Sequence, residues 1–110
     1  MAGRLERGEI RLYKFTSPDK SRPVLLLTRG ETVKYLSRVT IAPITSTVRG
    51  IASEVRLDED DGMKAPCVVN LHNMVTVAKT GIGRRLTKLS DEKMNRVCDA
   101  IGFCLGCEGT

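Results

Sequence analysis

The chain has 110 residues, 41% hydrophobic and 28% charged, which fits one globular domain over residues 1–110. No apolar run is long enough to span a bilayer, and Met1-Ala2-Gly3-Arg4-Leu5-Glu6-Arg7 leads into no signal-type apolar core, so a cytoplasmic protein with no membrane partner is expected. The net charge of +5 favours an anionic partner, either nucleic acid or an acidic protein segment.

Glu9 to Phe15 alternates, with Ile10, Leu12 and Lys14 on one side and Arg11, Tyr13 and Phe15 on the other, which predicts a strand after Gly8. Thr16 to Ser21 carries the residues of a loop. Arg22-Pro23 opens the next element, and a residue before proline is pushed towards extended geometry, so Arg22 belongs at the mouth of a strand. Val24 to Thr28 shows no polar alternation and reads as a strand buried on both faces. Arg29 to Thr32 breaks it, and Val33 to Ser37 reads as loop or a short helical turn.

Val39 to Ile44 is the partner strand, with Pro43 predicting a free edge or a bulge because it lacks a ladder donor. Thr45 to Gly50 is a loop. Ser53 to Leu57, Ala65 to Leu71, Met74 to Ala78 and Arg84 to Leu89 are further short strands, with Asp58 to Gly62 a solvated acidic hairpin tip. Ser90 is a good N-cap, and Asp91 and Glu92 suit a first helical turn. Met94, Val97, Cys98, Ile101 and Leu105 then fall on one helical face, with Gly106 as the stop. About six short strands followed by one helix predict a mainly β fold, a small and strongly curved sheet or barrel with a helix packed on it.

Two features point to chemistry. If the two apolar strands pair, the Arg22 cation and a hydroxyl of Thr45-Ser46-Thr47 come together at the edge of a packed sheet, an arrangement suited to an anion or a phosphate. Cys104-x-x-Cys107 has metal spacing, but Cys67, Cys98 and the single histidine, His72, form no second pair; no metal or other cofactor is expected, and the cysteines read as small hydrophobes.

In order along the chain, Arg7-Gly8-Glu9-Ile10, Ser21-Arg22-Pro23-Val24-Leu25, Ala42-Pro43-Ile44-Thr45-Ser46, Glu54-Val55, Val75-Thr76-Val77 and Leu89-Ser90-Asp91-Glu92-Lys93-Met94 give the sequence a pattern that resembles the MazF/PemK toxins of bacterial toxin–antitoxin systems. The resemblance covers nearly the whole chain. It implies an SH3-like barrel of the MazF/CcdB type, a homodimer, and a metal-independent endoribonuclease that cuts single-stranded RNA at short motifs, leaving a cyclic phosphate and a free hydroxyl. It also implies a cognate antitoxin whose acidic tail fills the RNA groove.

By motif the family's catalytic pair falls on Arg22 and Thr45. From the residues alone, an arginine stem lying on the barrel and a turn hydroxyl bonded to local backbone are the simpler readings; the resemblance moves both to catalysis. Arginine hardly deprotonates, so Arg22 is assigned chiefly charge stabilisation. Lys20, Ser46, Arg49, His72 and Asn73 are the expected RNA contacts. His72 stands where many relatives carry an acidic residue, and reads as a structural or base-stacking ring rather than an acid or base. Lys14, Lys79, Arg84 and Arg85 are weaker candidates, with solvated charge the simpler reading for the last three. The competing functions are a CcdB-like gyrase poison, against which the absence of Trp counts, and a non-catalytic SH3-like binding module, for which 4% aromatic residues give little stacking surface.

Overall fold

The computed structural model describes residues 4–15 and 21–107. Among these, seven strands and a C-terminal helix appear in the order β1 Glu9–Lys14, β2 Ser21–Leu26, β3 Arg38–Thr45, β4 Glu54–Leu57, β5 Cys67–Asn70, β6 Val75–Ala78, β7 Ile82–Lys88 and α2 Asp91–Leu105, with one helical turn, α1 Gly30–Val33, between β2 and β3. Val33 to Ser37, expected as loop or a short helical turn, is turn and loop after Val33, and the helical turn itself lies on Gly30–Val33, residues the sequence read mostly as a break. The loop expected at Thr16 to Ser21 lies outside the described residues except for Ser21, which opens β2.

The sheet runs β4-β5-β3-β2-β1-β7, with β6 on β3. Every pairing is antiparallel. The expected barrel is not closed: β4 and β7 end the path and carry no ladder to each other. Curvature comes from β3, which changes partner along its length. Residues 38–41 pair with β6 and residues 44–45 with β5. Pro43 falls in the gap between those two ladders while facing Val24 of β2. The missing donor of proline is thus placed where the strand changes sheets.

The apolar run of β2 is explained by two cores. Leu25 and Leu27 pack with Ala42, Ile44, Val69, Leu71, Met94 and Val97 on the α2 side. Val24 and Leu26 pack with Val33, Val39, Ile41 and Val77 on the other. A strand buried on both faces has no polar side to show.

In β1 a charged residue is buried beside Ile10: Arg11 is only 7% exposed, and the Glu9 carboxylate accepts from its Nε at 2.9 Å. Gly83 O accepts from Arg11 Nη1 at 2.9 Å and Arg4 O from its Nη2 at 3.3 Å. Glu9 also accepts from Arg85 Nη1 at 3.2 Å and from the Glu6 N–H at 2.9 Å.

Helix α2 starts as expected, with the Ser90 hydroxyl accepting from the Lys93 N–H at 3.1 Å. Its buried face is Met94, Val97 and Ala100, with Ile101 and Cys104 packed alongside. Cys98 and Leu105 were expected on that face but lie at its margins and are exposed. Cys98 Sγ instead accepts from Arg7 Nη2 at 3.0 Å. Gly106 ends the helix with φ +70°.

The acidic tip is solvated as expected, with Asp61 the one acidic residue of it that is partly covered. Asp58 and Asp61 form a reciprocal capping box around the 3-10 turn Glu59–Asp61. Asp61 also meets Lys93 Nζ at 3.5 Å, and its carbonyl accepts from Thr87 Oγ1. Gly62 closes the turn at φ +92°, and a Cβ there would lie 2.5 Å from Thr87 Oγ1. Gly62→Ala is therefore expected to destabilise the fold by about 2 kcal/mol, from positive-φ strain and the Thr87 clash together. Urea unfolding checks this; an unchanged midpoint would mean that the turn moves off β7 freely.

Candidate active site

The site lies at the end of β3 where that strand leaves β6 for β5. Val24 faces Pro43 in the β2–β3 ladder. Continued two residues further, that register sets Arg22 against Thr45, and facing residues of antiparallel strands project to the same side. Both side chains line a cleft of about 470 Å3, joined by Phe15, Pro43, Ile44, Thr47, Arg49, Glu54, Asn70 and Asn73.

Arg22 is positioned by the β1–β2 hairpin, where it faces Tyr13. It is exposed, and among the described residues no hydrogen bond or ion pair occupies its guanidinium. A planar cation left without a partner among the described residues, carried on a strand, is suited to a phosphate.

Thr45 ends β3 and is only partly exposed. Its Oγ1 accepts from the Thr47 N–H at 3.1 Å. With the oxygen engaged as an acceptor, the hydroxyl proton is left to donate into the cleft.

The floor is built by β4 and β5, where Glu54 faces Asn70. Glu54 Oε1 accepts from the N–H of Arg49 at 3.0 Å and of Gly50 at 2.9 Å. Its Oε2 lies 3.3 Å from the same Arg49 nitrogen. Asn70 Oδ1 accepts from the His72 N–H at 3.1 Å, capping the 3-10 turn Leu71–Asn73. That bond orients the Asn70 amide so that its NH2 group is the part left for a ligand. Phe15 meets Tyr13 edge-on, ring centroids 4.8 Å apart, and offers an aromatic surface at the cleft wall.

Of the residues expected from sequence, Arg22, Thr45, Arg49 and Asn73 share this cleft. Ser46 is exposed on the adjoining loop and His72 on the adjoining turn, and neither lines it. Lys20 lies outside the described residues. Lys79 and Arg85 hold structure: Lys79 Nζ donates to Val33 O at 2.8 Å, and Arg85 reaches Glu9. Phe15, Glu54 and Asn70 were not anticipated as site residues. Two other clefts of about 490 Å3 are present among the described residues. One gathers Arg4, Lys34 and Lys79 beside Glu31, and the other mixes Arg56 and Arg96 with Asp99 and Phe103. Neither places a hydroxyl or a side-chain amide beside its cations.

The model of the family described as PemK-like, MazF-like toxin of type II toxin–antitoxin systems matches residues 6–105. Endoribonuclease MazF3 of Mycobacterium tuberculosis is 43% identical over 84 residues, covering 76% of this chain and 82% of that one. Probable endoribonuclease MazF2 of the same organism is 34% identical over 104 residues, covering 94% and 100%. Among solved structures, the Mycobacterium tuberculosis toxin MazF-mt6 superposes with a TM-score of 0.84 at 37% identity, over 92% of this chain and 99% of that one. A mycobacterial endoribonuclease in complex with its cognate antitoxin shares the fold at a TM-score of 0.85 and 22% identity, over 96% and 99%.

Proposed function

Because the chain belongs to the PemK-like, MazF-like toxin family of type II toxin–antitoxin systems, we propose that it is a sequence-specific endoribonuclease that cuts single-stranded RNA in the cytoplasm. The observation that carries this reading is the cleft shared by the Arg22 guanidinium, which has no hydrogen bond or ion pair among the described residues, and a pre-set Thr45 hydroxyl.

The substrate's own 2′-hydroxyl attacks the adjacent phosphorus. The new bond is P–O2′ and the broken bond is P–O5′, so one fragment ends in a 2′,3′-cyclic phosphate and the other in a 5′-hydroxyl. A proton leaves O2′ and a proton reaches O5′, with no net change in charge. Between those states the phosphoryl oxygens carry added negative charge. Arg22 stabilises that charge, and the Thr45 hydroxyl donates to a phosphate oxygen. Arg49 binds a neighbouring phosphate at the rim. Phe15 gives one base a stacking surface, while the Asn70 and Asn73 amides read base edges. Arg22 and Arg49 supply positive charge at the phosphates, which supports a reaction without a metal.

The chain works as a homodimer, and a cognate antitoxin with an acidic tail blocks the cleft. The basic rim at Arg22 and Arg49 is complementary to such a tail.

The test is cleavage of a long single-stranded RNA in excess EDTA, with the ends mapped. Discrete cuts bearing cyclic-phosphate and 5′-hydroxyl ends are expected. Cleavage only on adding a divalent cation would overturn the metal-independent mechanism, and no cleavage in either condition would overturn the nuclease reading.

A further inference from the structure

We propose that Glu54 is a positioning residue for RNA cleavage: its carboxylate, held by the backbone N–H groups of Arg49 and Gly50, fixes the β3–β4 loop so that Arg49 meets the substrate phosphate beside Arg22. The proposal rests on the ribonuclease reading of the cleft.

The loop has little else to hold it. Residues 46–52 are all exposed, and its apolar side chains Val48 and Ile51 are 39% and 46% exposed, so burial does not fix it. Its two ends are tied locally, by Thr47 N–H donating to Thr45 Oγ1 and Glu54 N–H donating to Ile51 O. Between these ties the middle of the loop is held by the Glu54 side chain. Glu54 itself stands on firm ground, because the residues after it in β4 include the buried Val55 and Leu57.

Gly50 adopts φ +73°. The N–H groups of Arg49 and Gly50 both point at Glu54 Oε1 and form a two-donor concavity that takes an anion. In this protein the anion is internal. A carboxylate in a phosphate-binding cleft would repel substrate if its charge stood open, but here two backbone dipoles take it up. Both oxygens are already engaged as acceptors, which sets Glu54 apart from a proton-abstracting base. The carboxylate thus acts through Arg49, and a shift of about 1 Å in a positioning group is worth on the order of a hundredfold in rate.

The test compares Glu54→Ala, Glu54→Gln, Arg49→Ala and the Arg49→Ala/Glu54→Ala pair on one RNA substrate, with backbone amide exchange of Arg49 and Gly50 measured without RNA. Glu54→Ala is expected to lower kcat/KM by roughly ten- to a hundredfold. Glu54→Gln, whose amide oxygen still accepts both N–H groups, is expected to recover most of that loss. In the Arg49→Ala background, Glu54→Ala costs less than about threefold more, since both act through one contact. Exchange at Arg49 and Gly50 speeds up in Glu54→Ala and stays slow in Glu54→Gln. A glutamine variant as slow in cleavage as the alanine one, full additivity with Arg49→Ala, or unchanged amide exchange would each overturn the proposal. An unmodified protein that cuts no RNA overturns the nuclease reading, and the exchange rates then still decide whether the carboxylate clamps the loop.

Discussion

Arg22→Ala is expected to cleave RNA about a thousandfold more slowly than the unmodified chain, while unfolding at the same denaturant concentration. The two halves of this expectation have separate grounds. Stability is spared because the Arg22 side chain is exposed and has no hydrogen bond or ion pair among the described residues, so truncation leaves no polar group stranded. Cleavage is not spared, because among the described residues no other cation faces Thr45 across the two strands to meet the charge that builds on the phosphoryl oxygens. Arg49 lies in the same cleft but on the loop after β3, too peripheral in the fold to replace a group set by strand register. Arg22→Lys is expected to recover only a small part of the loss: an ammonium supplies charge as a point, whereas the guanidinium supplies it as a planar fork of donors. Single-turnover cleavage of a defined RNA, beside urea unfolding of each variant, checks both halves. A fully folded Arg22→Ala protein that cuts at nearly the natural rate would remove Arg22 from the mechanism.

The parts of this molecule that were legible in its sequence are those written in local pattern. Val24 to Leu27 lacks a polar face because it feeds two cores, and a run with no alternation says so directly. Ser90 caps α2 through its own side chain, a signal that spans three residues. Strand pairing alone pointed to Arg22 and a hydroxyl at the end of the next apolar strand; it was the family motif that singled out Thr45 and assigned both residues a catalytic role. What stayed hidden depends on contacts that leave no spacing. Glu54 bonds backbone N–H groups, and any residue but proline supplies a backbone N–H, so nothing in Arg49-Gly50 marks them as its partners. Arg11 alternates like a solvent-facing residue, and only the three-dimensional position of Glu9 shows why it is buried. Cys98 follows the apolar period of α2, but the packed stripe runs through Ala100 and leaves the thiol beside Arg7. Phe15 and Asn70 were read as strand residues; their second role comes from lying at strand ends that the fold turns towards one cleft.

Glu9→Ala is expected to destabilise the fold by about 3–5 kcal/mol, because it leaves the Arg11 guanidinium buried without its carboxylate. Glu9 is 2% exposed, and its two oxygens serve Arg11, Arg85 and the Glu6 N–H. These contacts tie the N-terminal segment and β7 to β1, the strand whose Tyr13 faces Arg22. Loss of the carboxylate therefore loosens the hairpin that presents Arg22 to the cleft. The titration of Glu9 gives an independent signature. Burial pushes its carboxyl upward, but the Arg11 hydrogen bond, the Glu6 N–H and the charges of Arg11 and Arg85 outweigh it and hold the group below its ordinary value of 4.5. A carboxyl lowered in the folded state contributes stability above its unfolded pKa and loses it as pH falls through the folded one. In the unmodified chain this contribution is intact at neutral pH and fades on acidification below the ordinary glutamate range. Glu9→Gln keeps the shape and one acceptor but cannot ionise, so it is expected to be less stable at pH 7 and to lose less on acidification. Urea unfolding of both proteins from pH 7 to pH 3 checks this. Parallel curves, with a constant gap at every pH, would mean that the charge on Glu9 adds nothing to holding β1, β7 and the N-terminal segment together.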